Sequence, residues 1–188
     1  SPRITVVVVT WRGAAHIAAC LDSLLAQTEP ASVLVVDNAS DDGTAAIARR
    51  YEADHPAIRV LRTERNLGFA GGMAAAMSHV SSELVALLND DAVADPGWLG
   101  ALRAALDAHP EAAAVTSQLR LAAGGAINNA GVALTAAGYG YDVGLGEPVA
   151  DHARAREVFG FCGGAALLRA DDVRDAGGFR GLLPLLRG

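Results

Sequence analysis

The most constraining feature of this sequence is an apolar run that ends in two carboxylates, at residues 84–91 (LVALLNDD). An uncharged run of this length is typical of a strand that is covered on both faces, as strands are in parallel sheets. Open α/β sheets bind their ligands at the carboxyl ends of such strands, and two adjacent ionised carboxylates favour a bound cation. The stretch therefore predicts a metal site at Asp90 and Asp91. The alternative is a solvated turn before a helix that Asp95 caps.

Strand and helix patterns alternate through the first two thirds of the chain. Apolar, often β-branched runs predict strands, and apolar side chains three and four residues apart predict helices between them. The predicted strands are 4–9, 33–36, 58–61, 84–88 and 113–117, and the predicted helices are 17–27, 44–53, 69–79 and 95–108. The last helix is predicted to begin with Asp95 as N-cap and Pro96 as its first residue. This order predicts an α/β fold with a doubly wound, mostly parallel sheet.

The regular alternation ends near residue 118. Glycines interrupt short apolar pieces between residues 119 and 157, which predicts short strands and mobile loops that form a ligand-facing wall and not a second domain. Residues 158–168 are apolar again and contain a Gly163-Gly164 pair, where backbone can approach a ligand. A short helix is predicted at 171–176. We therefore predict one domain over the 188 residues.

Composition excludes several classes of function. A formal charge of −6 gives no basic surface for nucleic acid. All 15 basic side chains are arginine, so P-loop and Schiff-base chemistry, which need lysine, are excluded. Cys20 and Cys162 are too few for a disulfide framework or a zinc ribbon, and we predict reduced packing thiols. With no signal peptide and no apolar run of about 18 residues, a cytoplasmic protein without a transmembrane segment is expected, and peripheral contact with the inner face of a membrane stays open.

Polar residues also follow the second predicted strand. Asp37 can accept hydrogen bonds from a ribose or a base edge, whereas Asp41 and Asp42 are better explained as turn and capping residues. Small residues at 68–72 open another helix, whose free N–H groups favour anions. This glycine pattern is not the dinucleotide fingerprint, which would follow the first strand.

Five segments together resemble a known family. They are VVVVTWRG near the start, VVDNASDDGT after the second strand, ERNLGFAGG before the third helix, LLNDD after the fourth strand, and CGGAALLRADDVRDAGGF near the end. In this order and rough spacing they resemble the family 2 glycosyltransferases of the GT-A fold, most closely the bacterial rhamnosyltransferase-like branch. The resemblance implies transfer of a sugar from a nucleotide diphosphate to an acceptor hydroxyl with inversion.

The resemblance also implies a set of site residues. Thr10 and Trp11 match residues that border the nucleotide base, and Asp37 matches the carboxylate that contacts base or ribose. Asp90 would lie beside the sugar or ribose, and Asp91 would ligate Mg²⁺ or Mn²⁺. The remaining residues of the implied nucleotide-sugar site are Asn38, Arg65, Asn66, Gly68 and Asn89. Asn89 stands where stricter family members have aspartate.

The implied partners are a UDP- or dTDP-linked sugar and a glycan, lipid-linked or small-molecule acceptor, and a homo-oligomer stays open. Residues 1–118 would bind the nucleotide sugar, and residues 119–188 would form an acceptor-side half that we expect to be incomplete.

One segment departs from the family pattern. The family places an acidic residue after GGF and then a Glu-Asp pair that supplies the general base, but here Phe179 is followed by Arg180-Gly181-Leu182. An inverting transfer needs a group that takes the acceptor proton, and no general base is identified. Asp142 and Glu147 are either substitute bases or solvated loop charges. The first alternative is an enzyme whose remaining catalytic segment lies outside this sequence, and the second is a nucleotide-sugar-binding module without turnover. The third is another nucleotide-dependent α/β enzyme, such as a nucleotidyltransferase, or a Rossmann-like protein with no ligand.

Overall fold

The protein is an α/β structure with helices on both faces of one central sheet. The computed structural model describes residues 2–179. In chain order its elements are β1 (Ile4–Thr10), α1 (Ile17–Leu25), β2 (Ala31–Asp37), α2 (Thr44–Asp54), β3 (Ile58–Arg62), α3 (Gly68–Met77), β4 (Leu84–Leu88), α4 (Trp98–Ala108), β5 (Ala114–Thr116), β6 (Leu119–Arg120), β7 (Ile127–Asn129), β8 (Val132–Leu134), β9 (Gly140–Asp142), a 3₁₀ turn (Val149–His152), β10 (Ala165–Arg169) and α5 (Ala170–Asp175).

The central sheet has six strands in the order β3-β2-β1-β4-β10-β5. β1 pairs in parallel with β2 and β4, and β2 pairs in parallel with β3. β10 lies antiparallel between β4 and β5. The predicted doubly wound, mostly parallel sheet is thus confirmed, and the carboxyl ends of β1, β2 and β4 lie at one edge.

The sheet is buried on both faces because successive strand residues point to opposite sides. Ile4, Val6 and Val8 of β1 pack in the cluster that includes α1, α2 and α4 residues, whereas Val7 packs in the cluster that includes Met73 of α3. All five residues of β4 are buried. This is why the central strands read as continuous apolar runs and do not alternate.

The start of α4 differs from the prediction. Asp95 does not cap the helix, which begins at Trp98 with Gly97 as N-cap and no side-chain cap hydrogen bond. Instead, the carbonyl oxygen of Asp95 accepts from the Trp98 N–H at 2.9 Å and from Gln27 Nε2 at 2.8 Å. Contacts from the end of α1 therefore hold this segment as a turn.

Residues 119–157 form small pieces of structure, as predicted. β6 pairs with β7 and β8 pairs with β9, each as a two-stranded antiparallel sheet. Within residues 2–179, no helix is long and apolar enough to cross a bilayer.

Candidate functional site

The acidic residues after β4 lie at the middle of the sheet edge. Asn89 and Asp91 are exposed and Asp90 is half-buried. The Asn89 N–H donates to the carbonyl oxygen of Gly164 at 2.9 Å, and the Cys20 thiol donates to the carbonyl oxygen of Asn89 at 3.5 Å. These bonds fix the backbone of residues 89–91, which we call the acidic tip, from the β10 side and from α1.

Asp90 is held by the end of β1. Its Oδ2 accepts a hydrogen bond of 2.5 Å from the hydroxyl of Thr10, which is itself buried. Burial raises the pKa of the Asp90 carboxyl, the Thr10 hydrogen bond opposes this, and repulsion from Asp91 adds to it. Burial raises the pKa of the Cys20 thiol to about 12, and the negative charges of Asp90 and Asp91 add to the rise. A cation beside Asp90 and Asp91 would remove this electrostatic penalty.

The oxygens of this tip suit a hard cation. Residues 2–179 contain no group of three or more His, Cys, Asp or Glu side chains placed to hold a metal. Mg²⁺ and Mn²⁺ accept one or two carboxylates when waters and phosphate oxygens complete the coordination. Asp90 and Asp91 therefore fit a cation that arrives with a phosphate ligand, and they do not form a closed metal site.

Asp37 and Asn38 lie at the neighbouring end of β2, directly beside Thr10 in the parallel register. The Asp37 side chain is fully buried, and it accepts from Arg62 Nη1 at 2.7 Å and from the Ser40 N–H at 3.1 Å. Arg62 ends β3 and is the register partner of Asp37. Sequence reasoning missed Arg62, since only the strand register brings it to Asp37.

Asn38 connects β2 to the segment before α3. Its Nδ2 donates to the carbonyl oxygen of Gly68 at 2.9 Å, and its Oδ1 accepts from the Leu67 N–H at 3.2 Å. Asn66 Oδ1 accepts from the Gly68 N–H at 2.8 Å, and Gly68 has a φ of 69°. Arg65 is exposed in the same loop. The structure thus brings the predicted residues of this loop to the same sheet edge as Asp37.

Trp11 and Arg12 form the turn after β1. Trp11 is 50% exposed, and the Arg12 guanidinium lies 4.9 Å from its ring centroid. Arg12 also pairs with Asp41 through two hydrogen bonds of 2.7 and 2.8 Å. The pairing raises the pKa of Arg12 and lowers that of Asp41. Asp41, predicted to be a turn residue, orients Arg12 beside the exposed Trp11 ring.

The backbone of this edge is strained at two turns. Among residues 2–179, the non-glycine residues with positive φ are Arg12 at 58° and Ala39 at 61°. They lie in the turns after β1 and β2, beside Thr10 and Asp37. Such strain concentrates at binding and catalytic sites, which agrees with the placement of the predicted residues.

The other candidate carboxylates lie in the irregular region. Asp142 accepts from buried Asn129 at 2.6 Å, and Glu147 Oε2 lies 2.5 Å from Nε2 of His152. Both have protein partners, so neither is marked as a general base by its contacts. The family position for that base, after Phe179, lies outside the described residues.

A separate cavity of 1290 Å³ runs along β5. Its walls include residues of α4, the segment 149–161 and α5. The predicted nucleotide-sugar and metal residues do not line it. The acidic tip and this cavity are therefore different surfaces of the molecule.

Comparison with known proteins identifies relatives of the chain. The sequence profile of Glycosyl transferase family 2 matches residues 5–177. The chain is 31% identical over 101 residues to the glycosyltransferase AglE of Haloferax volcanii, covering 52% of this chain and 33% of that protein. It is 32% identical over 130 residues to the N-acetylglucosaminyl-diphospho-decaprenol L-rhamnosyltransferase of Mycobacterium tuberculosis, covering 62% of this chain and 41% of that protein. The matches span less than half the length of these curated relatives.

The fold is shared with a solved enzyme. A mannosyltransferase from Pyrobaculum calidifontis, in complex with GDP-Man and Mn²⁺, superposes with a TM-score of 0.69 at 24% identity, covering 94% of this chain and 47% of that one. At this identity the likeness shows the fold. Together with the profile match it confirms the resemblance, and the chain belongs to glycosyl transferase family 2 and has the GT-A fold.

Proposed function

We propose that this chain carries the sugar-donor site of a metal-dependent, inverting glycosyltransferase. Residues 1–118 would bind the nucleotide sugar and residues 119–188 would face the acceptor. The observation that carries the proposal is the contact of Asp90 with Thr10 beside exposed Asp91, at the sheet edge where β2 ends in Asp37. Parallel α/β sheets bind nucleotides at this edge.

The chemistry requires stabilisation of a leaving diphosphate. Asp91 would hold Mg²⁺ or Mn²⁺, which would supply positive charge to stabilise the leaving diphosphate. Asp90, fixed by Thr10, would orient the sugar or ribose beside it. Trp11 offers an exposed ring face for the base, and the loop of Arg65, Asn66 and Gly68 would cover the donor.

Inversion follows from a single displacement. The acceptor oxygen bonds to the anomeric carbon on the face opposite the diphosphate, and the bond from that carbon to the diphosphate oxygen breaks. The electron pair of the broken bond stays on the diphosphate, and the acceptor proton passes to a general base. We assign that base to no residue within 2–179.

The choice of nucleotide and acceptor also belongs to the proposal. The resemblance to the family implies a UDP- or dTDP-linked sugar, whereas the solved mannosyltransferase was bound to GDP-Man. The name of the mycobacterial relative describes a lipid-linked acceptor, which favours the lipid-linked class among those predicted. Such an acceptor agrees with a cytoplasmic enzyme that works at the membrane face.

Calorimetric titration tests the metal assignment. We expect UDP, dTDP or GDP to bind the chain more tightly with Mn²⁺ than with EDTA, and Asp91→Asn to remove that difference. Asp175→Asn is the matched control, because Asp175 is exposed in α5, which follows β10 at the opposite sheet edge. Metal-dependent binding that survives in Asp91→Asn would refute the assignment.

Turnover separates an enzyme from a binding module. Incubation with nucleotide sugars and a lipid-linked acceptor should release nucleoside diphosphate if the chain is catalytic. Tight donor binding without release in the full-length protein would favour the non-catalytic module.

A further inference from the structure

We propose that Gly13 is a positioning residue that sets the direction of the Asp90 carboxylate, an inference that rests on the proposed donor site. Gly13 is buried in the turn between β1 and α1. A Cβ atom at this position would overlap Asp90 Oδ2 and Thr10 Oγ1 and would lie 3.3 Å from Asp90 Cγ. The absence of a side chain therefore leaves the space in which Thr10 and Asp90 form their hydrogen bond.

The backbone of Gly13 has no left-handed conformation that would itself demand glycine. Gly13 is not among the glycines with positive φ, so alanine is compatible with its dihedral angles. The atoms that a methyl group would meet are the ends of two side chains of the site. A substitution would therefore displace side chains of the proposed donor site and would change the backbone of the fold less.

The turn cannot easily retreat from Asp90, because Gly13 accepts the hydrogen bonds that lead into α1. Its carbonyl oxygen accepts from the N–H groups of His16 and Ile17, both at 2.9 Å. Ile17 is fully buried in the core. Moving Gly13 outward would break the first hydrogen bonds of α1 or withdraw Ile17 from its packing.

The residues on either side of Gly13 are also fixed. The Arg12 N–H donates to Ser40 Oγ at 3.0 Å, and the Ala14 N–H donates to Asp42 Oδ2 at 3.2 Å. Both acceptors lie in the segment between β2 and α2. The turn is thus anchored by that segment. If a methyl group at Gly13 overlapped Asp90, the Asp90 side chain would move more easily than the turn.

The backbone just before Asp90 is also fixed. An overlap would therefore rotate the Asp90 side chain and would not shift its backbone. Asn89 is anchored to Gly164 and to Cys20 by the hydrogen bonds described above. Rotation of Asp90 would break the Thr10 bond and misdirect an oxygen beside the proposed metal ligand Asp91. A misplacement of about 1 Å can cost about 100-fold in an enzyme site.

The test is a double-mutant cycle on Gly13→Ala and Asp90→Ala. With Mn²⁺ present, the affinity for the tightest-binding of UDP, dTDP and GDP is measured by calorimetry. We expect Gly13→Ala to weaken binding about 10-fold or more and to have no further effect in the Asp90→Ala background, because the Asp90 carboxylate is gone and the Thr10 hydroxyl, released from its bond to Asp90, can turn away from the methyl group. A merely structural role would weaken both backgrounds equally.

Gly100→Ala is the matched control. A Cβ at Gly100, in α4, would meet no atom within 4 Å, so this variant should bind like the unaltered chain. If Asp90→Ala weakens binding and Gly13→Ala does not, the inference about Gly13 is overturned. If Asp90→Ala itself leaves Mn²⁺-dependent binding unchanged, it is the proposed donor site that fails.

Thermal unfolding covers the case in which Gly13→Ala folds poorly. Removing the Asp90 carboxylate removes the closest overlap and frees the Thr10 hydroxyl, the other overlapping group, to turn away, so the double variant should regain the Tm of Asp90→Ala alone. A double variant that stays as unstable as Gly13→Ala would show that the methyl group disturbs the turn and not the carboxylate.

Discussion

The buried carboxylate of Asp37 depends on one arginine. Both of its oxygens are used, by Arg62 and by the Ser40 N–H. Arg62→Ala would leave a fully buried charge with a single neutral donor, and we expect the free energy of unfolding to fall by about 1–3 kcal/mol. Arg59→Ala is the control, because Arg59 is exposed on the same strand. Equal urea midpoints for the two variants would contradict this role of Arg62.

At the scale of single residues, the sequence predicts those site residues whose role is visible from their neighbours along the chain. Asp37, Asp90 and Asp91 were predicted as site residues because each lies within three residues of the end of an apolar run. Arg62 and Gly13 carry no such local signal. Arg62 bonds to Asp37, 25 residues away, and Gly13 lies against Asp90, which follows the neighbouring strand β4. The register of the sheet and the close approach of the turn are visible only in the structure.

At the scale of elements, α3 packs closely against β1, and glycine makes this possible. A Cβ at Gly72 would lie 2.6 Å from Cγ1 of Val9 and 3.2 Å from its Cγ2, and the β-branched Val9 has few other rotamers. We expect Gly72→Ala to destabilise the protein by about 1–3 kcal/mol.

The opposite result is expected for the corresponding change in α4. Gly100→Ala should stabilise by about 0.5–1 kcal/mol, because it adds helix propensity and meets no neighbour. Chemical denaturation of both variants measures the two values. A stabilised Gly72→Ala would mean that α3 and β1 are farther apart than described.

Elements formed by local patterns were predicted well, and elements defined by distant pairing were not. The four strands and four helices up to residue 108 follow apolar runs and apolar spacing, which are set by residues close together in the sequence. The predicted start of α4 was wrong. Gln27 and Thr28, which follow α1, donate hydrogen bonds to the carbonyl oxygens of Asp95 and Pro96 and hold that segment outside the helix. The insertion of β10 between β4 and β5 joins segments that lie far apart in the sequence, and no local pattern encodes that order.

At the scale of the whole molecule, the proposed donor site joins segments that meet only in the folded state. Its residues come from the ends of β1, β2 and β4 and from the loop before α3, so a ligand that binds there binds the native state and not the unfolded chain. Such a ligand at about 100 times its Kd stabilises a protein by about 2.7 kcal/mol. For a chain of this size, that corresponds to a rise in Tm of about 5–11 °C.

We therefore expect Mn²⁺ and a nucleoside diphosphate together to raise the Tm by this amount, and EDTA to remove most of the rise. The corresponding nucleoside monophosphate should give a smaller rise, because it lacks the second phosphate that would bridge to the cation beside Asp91. Scanning calorimetry with each ligand measures the difference. An equal rise for both nucleotides, or one that EDTA leaves intact, would mean that the nucleotide binds without a cation at the acidic tip, and the reaction would then need another source of charge stabilisation for its leaving group.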